Sequence, residues 1–504
     1  MRSKRIHSVV CFACAVILFQ AAADTGFGFN YWPPTPTNVM GSAVLFDQNW
    51  SSYKETVKSD LNHMASLGCE VVRLFFWTND GSWDFSTTPY LNSLHEQQVD
   101  NLTDLLMYIN NHRMKAIVVF GNLRISNDYW QNGYSTWDEF MDDSVLWVSN
   151  FVTACESCTY SNAVLYYDLQ NEVRHRPETG ATNFLPYVRE IYDRVAVPAG
   201  KRGMSVLRAD PDAESVADYF GPSRPLDFVD FHCYPTGNNQ DLVSCYELVS
   251  SVFSNSSVLV GEFGYHTPDE ARETNQQDFV WDCLASAISN DVPYILHWLL
   301  YDGLNGNPTV HDHGLLYSQD DPKDVLGGVA DVFSLVPNVD MEWGYASILS
   351  NWTAGAASGV TVDLTRVKAD AGSACNSFVG RLQVDENTTG GRVWMISDLV
   401  PVNPARGRVF VNAFLRTGAA AMSDVKLTVI QYNSSAQEIS RLAAPYYDPP
   451  ANWSWNNYIR NTGSWVAWLD AQCTLVKLSI SATAAPTADK NSMLDVDAVS
   501  IFNQ

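Results

Sequence analysis

Positive charge is scarce in this chain of 504 residues: 31 Lys and Arg stand against 56 Asp and Glu, a formal charge of −25. Neutralising phosphates takes basic residues in excess, so nucleic acid is not an expected partner. Anionic membranes are disfavoured for the same reason. Long apolar runs are missing beyond the N-terminus, which leaves no expected membrane span. No Gly-x-Gly-x-x-Gly turn follows the first apolar strand-like run, so nothing supports a dinucleotide site. A single Cys-x-x-Cys, Cys155 to Cys158, has no second such pair and no suitably spaced histidines, and reads as a structural bridge rather than a zinc site. Internal repeats and low-complexity linkers are also absent.

What is present is a large core. Hydrophobic residues make up 46% and charged residues 17%, which excludes disorder as the dominant state. At about 150 residues per domain the length allows roughly two to four domains. The N-terminus carries Arg2, Lys4 and Arg5, then an apolar run from Val9 to Phe19, then Ala21, Ala22 and Ala23. A basic start, a short apolar stretch and small residues before a cut predict a signal peptide over 1–23. The mature protein is then expected to be soluble, and either secreted or held in the lumen of the secretory or lysosomal pathway. Eight cysteines remain after cleavage, which predicts disulfides, including one between Cys375 and Cys473. Sequons at Asn49, Asn101, Asn255, Asn351, Asn387, Asn433 and Asn452 predict a glycoprotein in a eukaryotic source.

From 24 to 337 two textures alternate. Short, nearly continuous apolar runs occur at 27–32, 71–77, 115–121, 164–172, 203–209, 229–235, 257–264 and 294–300. Such runs mark strands buried on both faces of a parallel sheet. Between them, Val57, Leu61, Met64 and Leu67 lay one apolar stripe, and Leu102, Leu105, Leu106 and Ile109 lay another. The stretches 137–153, 184–195, 268–288 and 323–335 also read as helices. Eight strand-helix units predict an α/β fold, a (β/α)₈ TIM barrel, with an open doubly wound sheet as the alternative. After Pro337 the helical period fades, and alternating runs at 407–417, 425–432, 474–482 and 493–502 predict antiparallel strands. The region 338–504 is expected to be an all-β jelly-roll sandwich.

Barrel enzymes carry their chemistry where the strands end. The expected strand ends hold Arg73, Asn122, Asn171 with Glu172, His232 with Tyr234, Glu262 and Trp298. Burying such groups costs free energy unless they are paired or wet, so a ring of them at one end calls for a functional explanation. Glu172 and Glu262 are the pair of interest. Two carboxylates across a barrel mouth suit glycosidic cleavage, one protonating the leaving oxygen and the other attacking the anomeric carbon or activating water. A gap of about 5–5.5 Å means retention of configuration, and about 6.5–9.5 Å means inversion. His311-Asp312-His313 looks metal-like but lacks a third ligand and reads as a solvated or substrate-facing loop.

At these residues the chain resembles the clan of retaining (β/α)₈ glycoside hydrolases, and glycoside hydrolase family 5 most closely. That family has an Arg on strand two, Asn-Glu on strand four, His-x-Tyr on strand six, Glu on strand seven and Trp on strand eight. Arg73, Asn171-Glu172, His232-Cys233-Tyr234, Glu262 and Trp298 match in order. The resemblance implies that Glu172 is the acid/base and Glu262 the nucleophile. It implies that Asn171 holds the sugar 2-hydroxyl, that Arg73 and Tyr234 align Glu262, that Trp298 floors a subsite, and that His232 shapes the pocket near the acid/base. Where the family often has a His at the end of strand three, this chain has Asn122.

The C-terminal region resembles jelly-roll carbohydrate-binding modules at Asn338 to Glu342 and at Leu494 to Val499. Some of these hold a structural Ca²⁺, which makes Glu342 and Asp497 its candidate ligands. The combined expectation is a monomeric β-glycosidase on a neutral oligo- or polysaccharide, of the endo-β-1,4-glucanase or β-mannanase type, needing no cofactor and no metal in the catalytic site. An exo-acting β-mannosidase or β-glucosidase, a glycolipid hydrolase, and a non-catalytic glycan-binding protein on a degenerate barrel remain open.

Overall fold

The structure is a computed structural model. It describes residues 25–31, 50–76, 96–120, 135–173, 184–210, 212–235, 241–267, 273–301, 313–318, 321–322 and 329. In the C-terminal part it describes 344–345, 348–349, 352–368, 378–385, 390–402, 404, 407–417, 420–444, 454–457, 467–486 and 492–503. The chain divides into two compact units. One comprises Met1–Leu61, Cys69–Pro268 and Asp282–Gly314, and the other Asn62–Gly68, Asp269–Trp281 and Leu315–Gln504.

All eight expected strands form. In chain order the elements are β1 (Gly26–Tyr31), α1 (Trp50–Ser66), β2 (Cys69–Phe76), α2 (Glu96–Asn111), β3 (Lys115–Phe120), α3 (Trp137–Ser157) and β4 (Val164–Asp168). They continue with α4 (Phe184–Arg194), β5 (Arg202–Val206), α5 (Asp212–Phe220), β6 (Phe228–Cys233), α6 (Leu242–Val252), β7 (Ser257–Phe263), α7 (Glu273–Ser289) and β8 (Tyr294–Trp298). The strands pair in parallel in sequence order and β8 closes on β1, so the sheet is a closed barrel rather than an open one. Helices α5 and α6 were not expected from the sequence; α6 starts where Asp241 accepts the Val243 and Ser244 amides.

The barrel interior is a packed core below and a polar layer above. Val71, Phe75, Ile117, Val119, Phe228, Leu259 and Leu296 form one buried cluster. Fully burying each such side chain contributes about 1.5–3 kcal/mol. Side chains alternate along a strand, so Val71, Arg73 and Phe75 share the inward face of β2. At Gly28 the wall is so close that a Cβ would sit 2.3 Å from the Val71 carbonyl oxygen.

Among the described residues the C-terminal unit holds two large, mostly antiparallel sheets and two short two-stranded ones. One runs Trp352–Ala356, Gly391–Ser397, Leu475–Ala484, Ser423–Tyr432 and Glu438–Ala443. The other runs Asp363–Lys368, Phe378–Val384, Ser492–Asn503, Arg408–Thr417 and Ser454–Asn457. Strands of both contribute to one hydrophobic cluster that includes Leu382, Val411, Leu427, Leu478 and Val496. Glu342 lies outside the described residues, as does the side chain of Asp497.

Two expectations need correction. The seven described cysteines are thiols. Cys155 is buried on the last turn of α3 and the Cys158 sulfur accepts the Tyr160 amide; the expected Cys155–Cys158 bridge is not formed. Cys375 lies outside the described residues. Asn101 sits inside α2 with 2% exposure and is closed to glycosylation in the folded chain. No described helix is long and apolar enough to cross a membrane.

Candidate active site

Six of the expected residues converge at the carboxyl ends of the strands. Glu262, on β7, is held at both oxygens. Arg73 Nη1 donates to Oε1 at 2.9 Å, and the Tyr234 hydroxyl donates to Oε2 at 2.8 Å. A register shift makes this possible. Phe231 pairs with Val260, but His232 pairs with Glu262, so Gly261 is the extra residue of a bulge. Gly261 has no side chain to spare there: a Cβ would lie 2.3 Å from Asp230 Oδ1. Its carbonyl accepts the Asn30 side-chain amide at 2.8 Å.

Glu172 approaches from the other side. It follows β4 in a left-handed backbone conformation, φ 53°, which a non-glycine residue adopts at a cost of about 1–3 kcal/mol. Strain of this kind is concentrated at functional sites. The Glu172 side chain is 22% exposed, against 4% for Glu262. Glu172 can therefore exchange protons with solvent, whereas Glu262 is shielded.

His232 lies between them. Its Nδ1 is 3.2 Å from Glu172 Oε1 and 3.2 Å from Glu262 Oε2. Its Nε2 is 2.9 Å from Ser205 Oγ and 3.6 Å from Asp230 Oδ1. Burial pushes the His232 pKa down, but Glu262, Asp230 and Glu172 together outweigh burial and lift it to about 10. Burial raises the Glu262 carboxyl above the ordinary value, against the pull of His232 and Arg73. The Tyr234 phenol is pushed well up, first by burial and then by Glu262, and stays protonated as a donor.

Arg73 is the hub beneath. It is fully buried and reaches four other strands, which only a side chain inside the barrel can do. Nη2 donates to Asp168 and to Asn171 Oδ1, both at 2.7 Å, and Nη1 also donates to Asn30 Oδ1 at 3.1 Å. Nε stands 3.8 Å from Asp230 Oδ2. Burial works against the Arg73 charge, and Asp230, Asp168 and Glu262 outweigh it. Burial lifts Asp168 to about 7 despite Arg73.

Of the remaining expected residues, Trp298 stands edge-on to Phe75 at 5.8 Å, and the Arg73 guanidinium lies 4.9 Å over the same Phe75 ring. Asn122 lies outside the described residues, as do His311 and Asp312. His313 is described, and belongs to the site. Its ring is 5.8 Å from Tyr234 and 5.4 Å from His266. Sequence reasoning missed Asn30, Asp168, Ser205, Asp230 and His266. Each was visible as a polar residue within or just beyond an apolar strand.

Glu172, His232 and Glu262 each offer an atom within 4.8 Å of the others, the one such group of three among the described residues. A cation fits poorly between them. Arg73 already occupies Glu262, and a His232 that carries a proton on Nδ1 has no lone pair to give. The arrangement is better suited to attack and proton transfer by the two carboxylates.

The chain matches no protein-family model and no curated protein. Among solved structures it is similar to an exo-β-1,4-mannosidase, Op5Man5, from Opitutaceae bacterium strain TAV5, at 17% identity and TM-score 0.43, over 61% of this chain and 59% of that one. The chain thus spans less than two thirds of that enzyme's length. A GH5_18 variant from Bifidobacterium longum subsp. longum, in complex with Manβ1-4GlcNAc, is similar at 18% identity and TM-score 0.44, over 60% of this chain and 77% of that one. A β-mannanase from the blue mussel Mytilus edulis is similar at 14% identity and TM-score 0.38, over 54% and 86%.

Proposed function

We propose that this chain is a secreted retaining β-glycosidase that hydrolyses β-linked neutral glycans, of the endo-β-1,4-glucanase or β-mannanase type. The carrying observation is the separation of the two glutamates. An oxygen of Glu172 and an oxygen of Glu262 lie within 4.8 Å. That spacing favours the close pair of a retaining enzyme, about 5–5.5 Å, over the gap of about 6.5–9.5 Å of an inverting one.

Roles follow from the surroundings. Glu262 is the nucleophile, because two donors fix both its oxygens and stabilise its anion. Glu172 is the acid/base, being the more exposed of the two. In the first step a Glu262 oxygen bonds to the anomeric carbon, the glycosidic C–O bond breaks, and the Glu172 proton passes to the leaving oxygen. In the second, Glu172 takes a proton from water, whose oxygen bonds to the anomeric carbon and releases Glu262. Asn171, whose Oδ1 accepts from Arg73, is read as the contact to the sugar 2-hydroxyl. Trp298 supplies the subsite floor. The C-terminal sheets are read as a jelly-roll accessory module.

The test is a panel of β-glucan, β-mannan, xylan, aryl β-glycosides and detergent-dispersed glycolipid. Falling viscosity of one polymer, with oligosaccharide release, is the expected result. Release of monosaccharide alone makes the enzyme exo-acting. Binding without turnover on every substrate overturns the assignment.

A further inference from the structure

Asp230 carries more than its place in the fold requires. It is fully buried on β6, two residues before His232 and on the same face of the strand. Neither of its oxygens has a hydrogen-bond partner. A buried carboxylate in that condition is costly unless charge compensates it. The charges that face it are Arg73 Nε at 3.8 Å and His232 Nε2 at 3.6 Å. Gly261 leaves the space it occupies.

The opposite edge of His232 is equally constrained. Nδ1 is 3.2 Å from one oxygen of each glutamate. A lone pair there would face two acceptors, and a proton there serves both. The charged groups around the ring are Glu172 beyond β4, Glu262 on β7 and Asp230 on β6, with Arg73 and Asp168 behind them and Ser205 Oγ as the neutral partner of Nε2.

We propose that Asp230 is a positioning residue that holds His232 as an imidazolium throughout the cycle, so that one fixed positive charge serves each glutamate in turn. This rests on the glycosidase reading. In the free enzyme Glu262 is the anion and Glu172 carries the proton. After the first step Glu262 is a neutral ester and Glu172 is the anion. The pair holds one negative charge in both states, and His232 is equidistant from both sites of it. The cation therefore compensates the anion before and after transfer without moving. Asp230, which takes no part in the chemistry, is the constant counter-charge that keeps the ring from losing its proton.

The sign of the pH effect follows. A ring whose pKa is raised in the folded state is charged below that value and loses its charge as pH rises through it. Asp230→Asn keeps the shape and removes the charge, so the loss moves to lower pH. The experiment is a ¹⁵N titration of the histidine rings in the full chain, with His232 assigned by its missing signals in His232→Gln. Wild-type His232 is expected to remain doubly protonated through pH 8. In Asp230→Asn its midpoint falls by at least about one unit, a tenfold change in the charged fraction above the midpoint. The alkaline limb of kcat/KM falls with it. The titration requires no turnover, so it stands or falls apart from the glycosidase assignment. A neutral His232 ring in the wild type at pH 7 overturns the proposal. An unchanged midpoint and alkaline limb in Asp230→Asn also overturn it. If that variant does not fold, Asp230→Ser, smaller and neutral, takes its place with the same expected fall in the midpoint and the same overturning result.

Discussion

Glu262→Gln is expected to fold and to lose turnover by a factor on the order of 10⁴ or more. The amide has the size of the carboxylate. It keeps an acceptor for Arg73 Nη1, now at 2.9 Å from Oε1. What it lacks is the anion that bonds to the anomeric carbon. Tyr234, which donates to Oε2 at 2.8 Å, would have to turn its hydroxyl and accept instead. The side chain is enclosed, so water has no ready path to replace it. Steady-state rates on the best substrate of the panel, with a circular dichroism spectrum and melting curve for folding, check this. Glu172→Gln should differ in kind. It should retain more activity on aryl glycosides, whose leaving groups need little protonation, than on unactivated glycans. Equal losses for the two variants on both substrate types would remove the distinction between nucleophile and acid/base.

Arg73→Leu is expected to cost about 3–5 kcal/mol of stability, the range for leaving buried charges unpaired. Asp168 lies 2.7 Å from the guanidinium, Glu262 2.9 Å and Asp230 3.8 Å, all of them buried. Without the cation, burial and mutual repulsion push the Asp168 and Glu262 carboxyls further up. A carboxyl raised in the folded state favours folding below its unfolded value of about 4 and loses that contribution as pH rises through the folded one. The variant should therefore be closest to wild type near pH 4 and fall behind toward pH 7. Melting temperatures of both proteins across that range are the check. A deficit of the same size at every pH would mean that lost packing, not charge, is the cause. Arg73→Lys should not restore the site, because an ammonium cannot serve Asn30, Asp168, Asn171 and Glu262 from one planar fork.

The barrel was legible because buried parallel strands leave an unmistakable pattern. The runs at 71–77 and 115–121 are apolar almost throughout, and each became a strand within two residues of its expected bounds. The outer layer of the site was legible for a related reason: Arg73, Glu172, His232 and Glu262 interrupt or end such runs. The layer beneath was less so. Asp230 precedes His232 by two on one strand face, and Tyr234 follows His232 by two just past the strand's end. Attention to strand ends alone passed over the deepest of them. The bulge at Gly261 left no pattern, because glycine at that point could equally have marked a turn. The short helices Asp212–Phe220 and Leu242–Val252 offer too few turns for a clear stripe. The cysteines misled because an even count in a chain expected to be exported suggests bridges, whereas Cys69, Cys155, Cys233 and Cys283 are core side chains.

The most direct test of the central claim is the anomeric configuration of the first product, followed by ¹H NMR on a β-linked substrate from the moment enzyme is added. Two displacements at the anomeric carbon predict that the β-anomer appears first and the α-anomer grows in only by mutarotation. The α-anomer appearing first would mean a single displacement by water, and would contradict the assignment of Glu262 as a nucleophile at this spacing from Glu172.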